Sequence, residues 1–94
     1  MEKDEITEIG IDISERLYVK PKNLQFTLIY RTATEVHWDN EDLFLYSPKP
    51  KDWTYLQWYK HIIKVAEDCN CKLIITENTK WKNISKELKN EISK

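Results

Sequence analysis

Residues 52–59 decide the fold of this chain, and they read Asp52-Trp53-Thr54-Tyr55-Leu56-Gln57-Trp58-Tyr59. Thr54 and Gln57 have the spacing of a capping box, in which each side chain accepts a hydrogen bond from the other residue's backbone N–H. In that register Trp53 precedes the cap and Trp58 is the fourth helical residue, which are the two positions of a hydrophobic staple. Asp52 is an alternative cap, since a carboxylate also stabilises the positive end of a helix. Either cap predicts that a helix begins here.

The residues that follow continue this helix. Their apolar stripe has the 3.6-residue period of a helix and consists of Tyr55, Trp58, Tyr59, Ile62, Ile63, Ala66 and Cys69. We therefore predict a helix over residues 53–69, with Cys69 as a small buried residue at the end of the stripe. Asn70 is the natural stop, because asparagine tolerates the left-handed backbone conformation found at helix C-termini.

Upstream, the alternation of apolar and polar residues predicts strands. Residues 9–13 and 17–20 are expected to form a hairpin that Pro21 ends, because proline cannot donate to a sheet ladder. Residues 24–30 alternate most regularly, and their face toward the helix is expected to carry Leu24, Phe26, Leu28 and Tyr30. Residues 36–38 and 43–46 are the next two strands, with a turn between them at residues 39–42.

Downstream, residues 72–76 predict one more strand, and residues 83–92 predict a C-terminal helix capped by Asn83. The apolar stripe of that helix consists of Trp81, Ile84, Leu88 and Ile92. The predicted fold class is α+β: an antiparallel β-meander of four to five strands, one long packed helix, a further strand and a C-terminal helix. Residues 1–94 are expected to form a single compact domain, in which residues 1–7 are an end that can fray.

The composition predicts a cytoplasmic protein. Hydrophobic residues make up 40% of the chain and charged residues 33%, and no apolar run approaches the length of a membrane span. The first residues, Met1-Glu2-Lys3-Asp4-Glu5, are acidic where a secretion signal is basic and then apolar. Cys69 and Cys71 are too close in sequence for disulfide geometry, so we expect reduced thiols. Because no apolar run has the length of a membrane span, we expect no membrane partner.

The charges are unevenly distributed along the chain. The net charge is −1, but residues 1–47 hold ten acidic and five basic side chains, whereas residues 48–94 hold six acidic and ten basic ones. Such asymmetry can steer association with a charged partner, although it also arises from two separately solvated surfaces.

The sequence predicts neither an enzyme nor a cofactor. His37 and Asp39 are the best acid and base candidates, but on a strand they face water if Val36 and Trp38 face the core, and no nucleophile accompanies them. The two cysteines with His37 and His61 lack a zinc spacing, so no metal is expected. A chain whose single glycine is Gly10 has no glycine-rich phosphate loop.

A small nucleic-acid-binding or regulatory domain is the alternative hypothesis. It rests on lysines interleaved with tryptophans, which could hold phosphates and stack bases: Lys49, Lys51, Lys60, Lys64, Lys80 and Lys82, with Trp53, Trp58 and Trp81. The net charge of −1 and the acidic first half oppose it.

A protein-binding domain is the preferred hypothesis. Aromatic residues cluster around a stiff Pro-Lys-Pro-Lys connector at residues 48–51, and such an aromatic edge has the composition of an interface hot spot. The acidic first half offers a surface complementary to a basic protein. The residues predicted to contact the partner are Glu35, His37, Asp39, Glu41, Asp42, Tyr46 and Trp53.

Several phrases resemble those of small bacterial immunity proteins of polymorphic toxin systems. They are Arg16-Leu17-Tyr18-Val19-Lys20-Pro21, Ile29-Tyr30-Arg31, Val36-His37-Trp38-Asp39 and Trp53-Thr54-Tyr55-Leu56-Gln57-Trp58-Tyr59. The resemblance implies a cytoplasmic, non-catalytic protein that binds and occludes a cognate toxin made by the same cell. The resemblance does not indicate which residues of this sequence would contact the toxin.

Overall fold

Strands and helices of this chain form the predicted α+β fold. The computed structural model describes residues 2–27, 29 and 35–93, and within them six strands form one sheet and two helices accompany it. The strands are β1 (Glu2–Ile11), β2 (Leu17–Pro21), β3 (His37–Asp39), β4 (Phe44–Tyr46), β5 (Cys71–Ile74) and β6 (Lys80–Lys82). The helices are α1 (Tyr55–Asp68) and α2 (Lys86–Ser93).

The sheet is mixed, with β1 at its centre. The order β3-β4-β2-β1-β5 contains an antiparallel part of four strands that ends at β1, but this part is not the predicted meander, because β2 pairs with β4 and β3 lies at the edge. On the other side of β1, both later strands run parallel to it: β5 pairs with residues 2–5 and β6 with residues 8–10. β5 and β6 therefore follow one another along the same edge of β1.

The register gives the sheet two chemically different faces. The inner face carries Ile9, Val19, Trp38, Leu45 and Trp81, which lie side by side across five strands. Helix α1 packs on this face and contributes the buried residues Trp58, Tyr59, Ile62, Val65 and Ala66 to the same core. The outer face carries Glu8, Gly10, Tyr18, Lys20, His37, Asp39, Phe44, Tyr46, Lys80 and Lys82.

Strand β1 begins earlier than predicted. Residues 2–7, which were expected as an end that can fray, form half of the central strand. A register shift between Ile6 and Glu8 marks a bulge, and it lets both Ile6 and Ile9 reach the core, where each is completely buried. The backbone of this segment pairs with β5, a strand distant in sequence.

Helix α1 begins as the capping box predicts. The Thr54 N–H donates to Gln57 Oε1 over 2.8 Å, and the Gln57 N–H donates to Thr54 Oγ1 over 3.2 Å. The rings of Trp53 and Trp58 lie 4.7 Å apart, which confirms the staple. Asn70 follows the last turn with a φ of 67°, so the predicted stop is also confirmed. Among the described residues, neither helix is long and apolar enough to cross a membrane.

Removal of the cap hydroxyl is expected to weaken the fold moderately. Thr54→Ala should lower the free energy of unfolding by about 1 kcal/mol, because the Gln57 N–H loses its acceptor at the helix start. Urea unfolding followed by circular dichroism measures this. Lys60→Ala, an exposed change on the same helix, is the matched control. Equal midpoints for the two variants would contradict the energetic importance of the cap.

The strand predicted over residues 24–30 is wrong for the part that the structure describes. Residues 24–27 and 29 form no strand, because Asp4 accepts the backbone N–H groups of Asn23 and Leu24, and the Ile29 N–H donates to the Phe26 carbonyl in a turn. Phe26 does enter the core, but Ile29, which alternation placed on the opposite face, is only 2% exposed. Leu28 and Tyr30 lie outside the described residues.

Two predictions of local detail are also wrong. Cys69 is exposed at the end of α1, and Cys71 takes the buried position in β5, because the left-handed Asn70 reverses the chain between them. Both thiols are free. Helix α2 is capped by Ser85, whose hydroxyl accepts from the Leu88 N–H at 3.1 Å, whereas the Asn83 amide donates to the Ile11 carbonyl at 3.2 Å.

Candidate functional site

The outer face of the sheet carries a row of large side chains. Register pairing aligns one residue from each of five neighbouring strands, in the order Lys82, Gly10, Tyr18, Tyr46 and His37. Neither helix packs on this face, because the buried residues of α1 and α2 belong to the core beneath the inner face. The row therefore lies on a face that neither helix covers, with Tyr46 and His37 more accessible than Gly10 and Tyr18.

Tyr18 and Phe44 form a second apolar cluster on this face, separate from the core. Their rings stack with centroids 4.6 Å apart, and the two residues are only 4% and 8% exposed. The Tyr18 hydroxyl donates to Glu8 Oε2 at 2.6 Å, across the space above Gly10. Burial and this hydrogen bond raise the pKa of Tyr18, so its phenol stays protonated at neutral pH and serves as a fixed donor.

Tyr46 lies next in the row and is held by a cation. The Arg16 guanidinium lies 4.3 Å from the centroid of the Tyr46 ring. The His37 ring, on the neighbouring strand β3, has its centroid 5.4 Å from that of Tyr46. Arg16 is itself fixed, because its Nε and Nη2 atoms each donate to Asp12 Oδ2 at 2.8 Å. Burial alone would raise the pKa of Asp12, but the hydrogen bonds from Arg16 outweigh it and hold that pKa below its ordinary value.

An acidic turn borders the row. Asp39 accepts the backbone N–H groups of Glu41 and Asp42 at 2.9 and 3.0 Å, and the bond from Asp42, followed by that from Glu41, lowers the pKa of the Asp39 carboxyl. Glu41 and Asp42 point into solvent. Leu43 completes the turn with a φ of 58° and remains substantially exposed. The turn thus presents carboxylates around one exposed apolar side chain.

An open groove of about 620 Å³ lies between this turn and the tip of the β1–β2 hairpin. Its lining mixes both charges with apolar groups: Glu8, Ile11, Asp12, Ile13, Arg16, Tyr18, Lys20, Asp42, Phe44, Lys82 and Asn83. Ile13, at the hairpin tip, is fully exposed. Such a groove presents aromatic anchors within a charged rim, as protein interfaces do.

The structure divides the seven predicted contact residues between two places. The outer face and its turn bring five of them together, namely His37, Asp39, Glu41, Asp42 and Tyr46. Glu35 and Trp53 instead line a separate cavity of about 370 Å³, together with Pro48, Lys49, Lys51, Asp52 and Trp58. Sequence reasoning missed Arg16, Tyr18 and Phe44, although the alternation of residues 17–20 does place Tyr18 opposite Leu17 and Val19.

The second cavity has an aromatic wall. Trp53 is 43% exposed, and its ring contacts those of Trp58 and His61 with centroids 4.7 and 5.2 Å away. Trp58 is buried, and its indole N–H has no hydrogen-bond acceptor in the structure as described. Of the three tryptophans in the nucleic-acid hypothesis only Trp53 is exposed, since Trp81 is half-buried.

The outer face also holds the acid and base candidates that the sequence offers. His37 and Asp39 share the outer face at an exposed strand, and the nearby tyrosine holds its proton. Within residues 2–27, 29 and 35–93, no group of three His, Cys, Asp or Glu side chains is placed to hold a metal ion.

Comparison with known proteins gives the chain a family. A family profile described as Integron Cassette Protein Hfx_Cass5 matches residues 4–79. The chain belongs to this family. A solved Hfx_Cass5 protein, described as a structure from the mobile metagenome of North West Arm Sewage Outfall, is 38% identical with a TM-score of 0.53, and the match covers 99% of this chain and 94% of that one. A search of curated proteins finds no match.

Membership of the Hfx_Cass5 family overturns the resemblance to immunity proteins of polymorphic toxin systems, which was wrong. Two of the phrases behind it have structural explanations in this fold. Residues 16–21 contain strand β2, and residues 53–59 contain the capping box and staple that begin α1. Strand pairing and helix capping are sufficient reasons for these residues to be present. Their presence therefore identifies no toxin partner.

Proposed function

We propose that this Hfx_Cass5 chain is a non-enzymatic protein-binding domain that uses the outer face of its sheet. The observation that carries the proposal is the pair of neighbouring rings Tyr46 and His37 on the outer face, with Arg16 fixed over Tyr46 and the buried Tyr18–Phe44 stack beside them. Aromatic and arginine side chains held in one conformation lose little entropy on binding, so they are effective interface anchors.

The charges around the row indicate the chemistry of the partner. The turn presents Asp39, Glu41 and Asp42 next to the exposed Leu43, whereas Lys20 and Lys82 line the groove from β2 and β6. A partner segment with basic residues toward the turn and an apolar residue toward Leu43 complements this arrangement. The same face suits nucleic acid poorly, because carboxylates lie among its lysines.

Selection of peptides on the immobilised protein tests this proposal. We expect enriched peptides to carry basic and apolar residues and to bind the Asp42→Lys and Tyr46→Ser variants at least about tenfold more weakly, a loss of roughly 1.4 kcal/mol. Isothermal titration calorimetry measures the affinities. Glu91→Lys makes the same charge change at an exposed position of α2, so it is the matched control for Asp42→Lys.

Two results would contradict the proposal. One is a set of selected peptides that bind both outer-face variants as tightly as the original chain, or no selected peptide at all. The other is tight binding of a single-stranded oligonucleotide that weakens steeply as salt rises, which would favour the nucleic-acid alternative. Circular dichroism shows whether each variant has kept its fold.

A further inference from the structure

We infer that the cavity beside the start of α1 binds a small organic cation, an alkylammonium or guanidinium group, over the ring of Trp53. The cavity measures about 370 Å³, which is within the range of small-ligand pockets. It shares no lining residue with the groove of the outer face, so this inference does not depend on the proposed protein-binding function.

The aromatic wall of the cavity is fixed before any ligand arrives. Trp53 is held by the staple contact with Trp58 and by an edge contact with His61, whose ring plane is tilted by 79° to its own. Despite these contacts, Trp53 remains 43% exposed, and it is one of the residues that line the cavity. An indole ring is the strongest partner for a cation among the aromatic side chains, because its face carries negative electrostatic potential.

The charges in the cavity wall favour a cation over an anion. Lys49 is paired with Glu15 outside the cavity wall, so its charge is already compensated. Glu35 and Asp52 form no ion pair in the described structure, and Lys51 is the only ammonium without an ion pair among the lining residues that the structure describes. Among the described lining residues, carboxylates therefore outnumber the available ammonium two to one. Lys51 is exposed on a long flexible stem that can keep its charge in water when another cation enters.

Titration with choline and with agmatine tests the inference. The indole N–H signals in two-dimensional NMR spectra distinguish the tryptophans, and we expect the Trp53 signal to shift saturably, with a dissociation constant of roughly a millimolar. Sodium chloride at matched ionic strength and sodium benzoate should not produce this shift. Acetyl-Ala-Arg-Ala-amide distinguishes the two sources of such a cation: if it binds as well as agmatine, the site takes an arginine side chain of a protein, and otherwise it takes a free small molecule.

Variants at exposed positions keep the test independent of folding. Glu35→Gln combined with Asp52→Asn should weaken cation binding at least about tenfold, and Trp53→Leu should abolish it. Lys51→Gln should strengthen binding, because the competing ammonium is removed. Asp68→Asn, at the far end of α1, is the matched control and should bind as the original chain does. Absence of a saturable shift, equal binding of benzoate, or unchanged binding by the double variant would each overturn the inference.

Discussion

Gly10→Ala is expected to lower the free energy of unfolding by about 2–3 kcal/mol, the cost of forcing extra volume into a packed site. A Cβ atom at Gly10 would lie 2.4 Å from the Tyr18 hydroxyl oxygen and 2.5 Å from Cζ, which is far inside van der Waals contact. The Tyr18 ring cannot simply swing away, because it is stacked on Phe44 and its hydroxyl is bonded to Glu8. The single glycine of the chain thus makes room for the central side chain of the outer face.

The Tyr18→Ala background is the matched control for this prediction. Without the ring, the three atoms nearest to the new methyl group are gone, and Gly10→Ala should then be neutral or stabilising by up to about 1 kcal/mol, because alanine restricts the unfolded chain more than glycine. Urea unfolding of the two single variants and the double variant gives the coupling between the positions. An equal cost of Gly10→Ala in both backgrounds would show that the ring is not the obstacle.

The same variant links the fold to the proposed function. If Tyr18 is displaced, its stacking with Phe44 is lost at the centre of the row that also contains Tyr46. Peptides selected on the outer face should therefore bind Gly10→Ala more weakly even under conditions where the variant remains folded. The organic-cation cavity lies elsewhere, so binding of choline or agmatine there should be unaffected.

Local sequence signals predicted those parts of the fold whose stabilising groups lie close together in the chain. Thr54 and Gln57 are three residues apart, and their reciprocal hydrogen bonds are those that a capping box requires. The hairpin of β1 and β2 and the stop at Asn70 have equally local causes. In each case the partner groups meet in a short segment, so little depends on the rest of the molecule.

Predictions failed where the backbone forms hydrogen bonds with a group that is distant in sequence. Residues 24–30 alternate like a strand, but the carboxylate of Asp4, about twenty residues earlier, takes the N–H groups at their start. Residues 2–5 look like a solvated end, but β5 pairs with them after an intervening helix. No periodicity in a single segment can reveal a partner that the chain supplies from elsewhere.

The candidate site was only partly predictable for the same reason. The acidic residues of the turn and Tyr46 were found because they are close in sequence, and the turn keeps them together. Tyr18 was read only as part of a return strand, and its importance follows from the register that places it between Gly10 and Tyr46. Trp53 and Glu35 were grouped with this face from composition, whereas the structure places them in a separate cavity.

Asp4 carries the second large prediction, because one buried carboxylate organises a whole segment. Its Oδ2 atom accepts the N–H groups of Asn23 and Leu24, each at 2.9 Å, and its Oδ1 atom accepts from the Asn23 side-chain amide at 3.1 Å and from the Glu5 N–H at 3.0 Å. Asp4 itself is only 5% exposed. Asp4→Ala removes every one of these acceptors and should lower the free energy of unfolding by about 2 kcal/mol, since hydrogen bonds to charged groups are stronger than neutral ones.

Hydrogen exchange separates this local effect from a general loss of stability. In Asp4→Ala, the amides of Asn23 and Leu24 should exchange faster by more than the global change explains, because their acceptor is gone and residues 24–27 are no longer tied to β1. Glu2→Ala, an exposed change on the same strand, is the matched control and should shift stability by less than about 0.5 kcal/mol.

Asp4→Asn keeps the shape of the side chain but replaces one acceptor oxygen by a donor, so its cost should fall between those of the two alanine variants. If Asp4→Ala unfolds at the same urea concentration as Glu2→Ala, the carboxylate does not organise the segment, and the absence of a strand over residues 24–27 needs another cause.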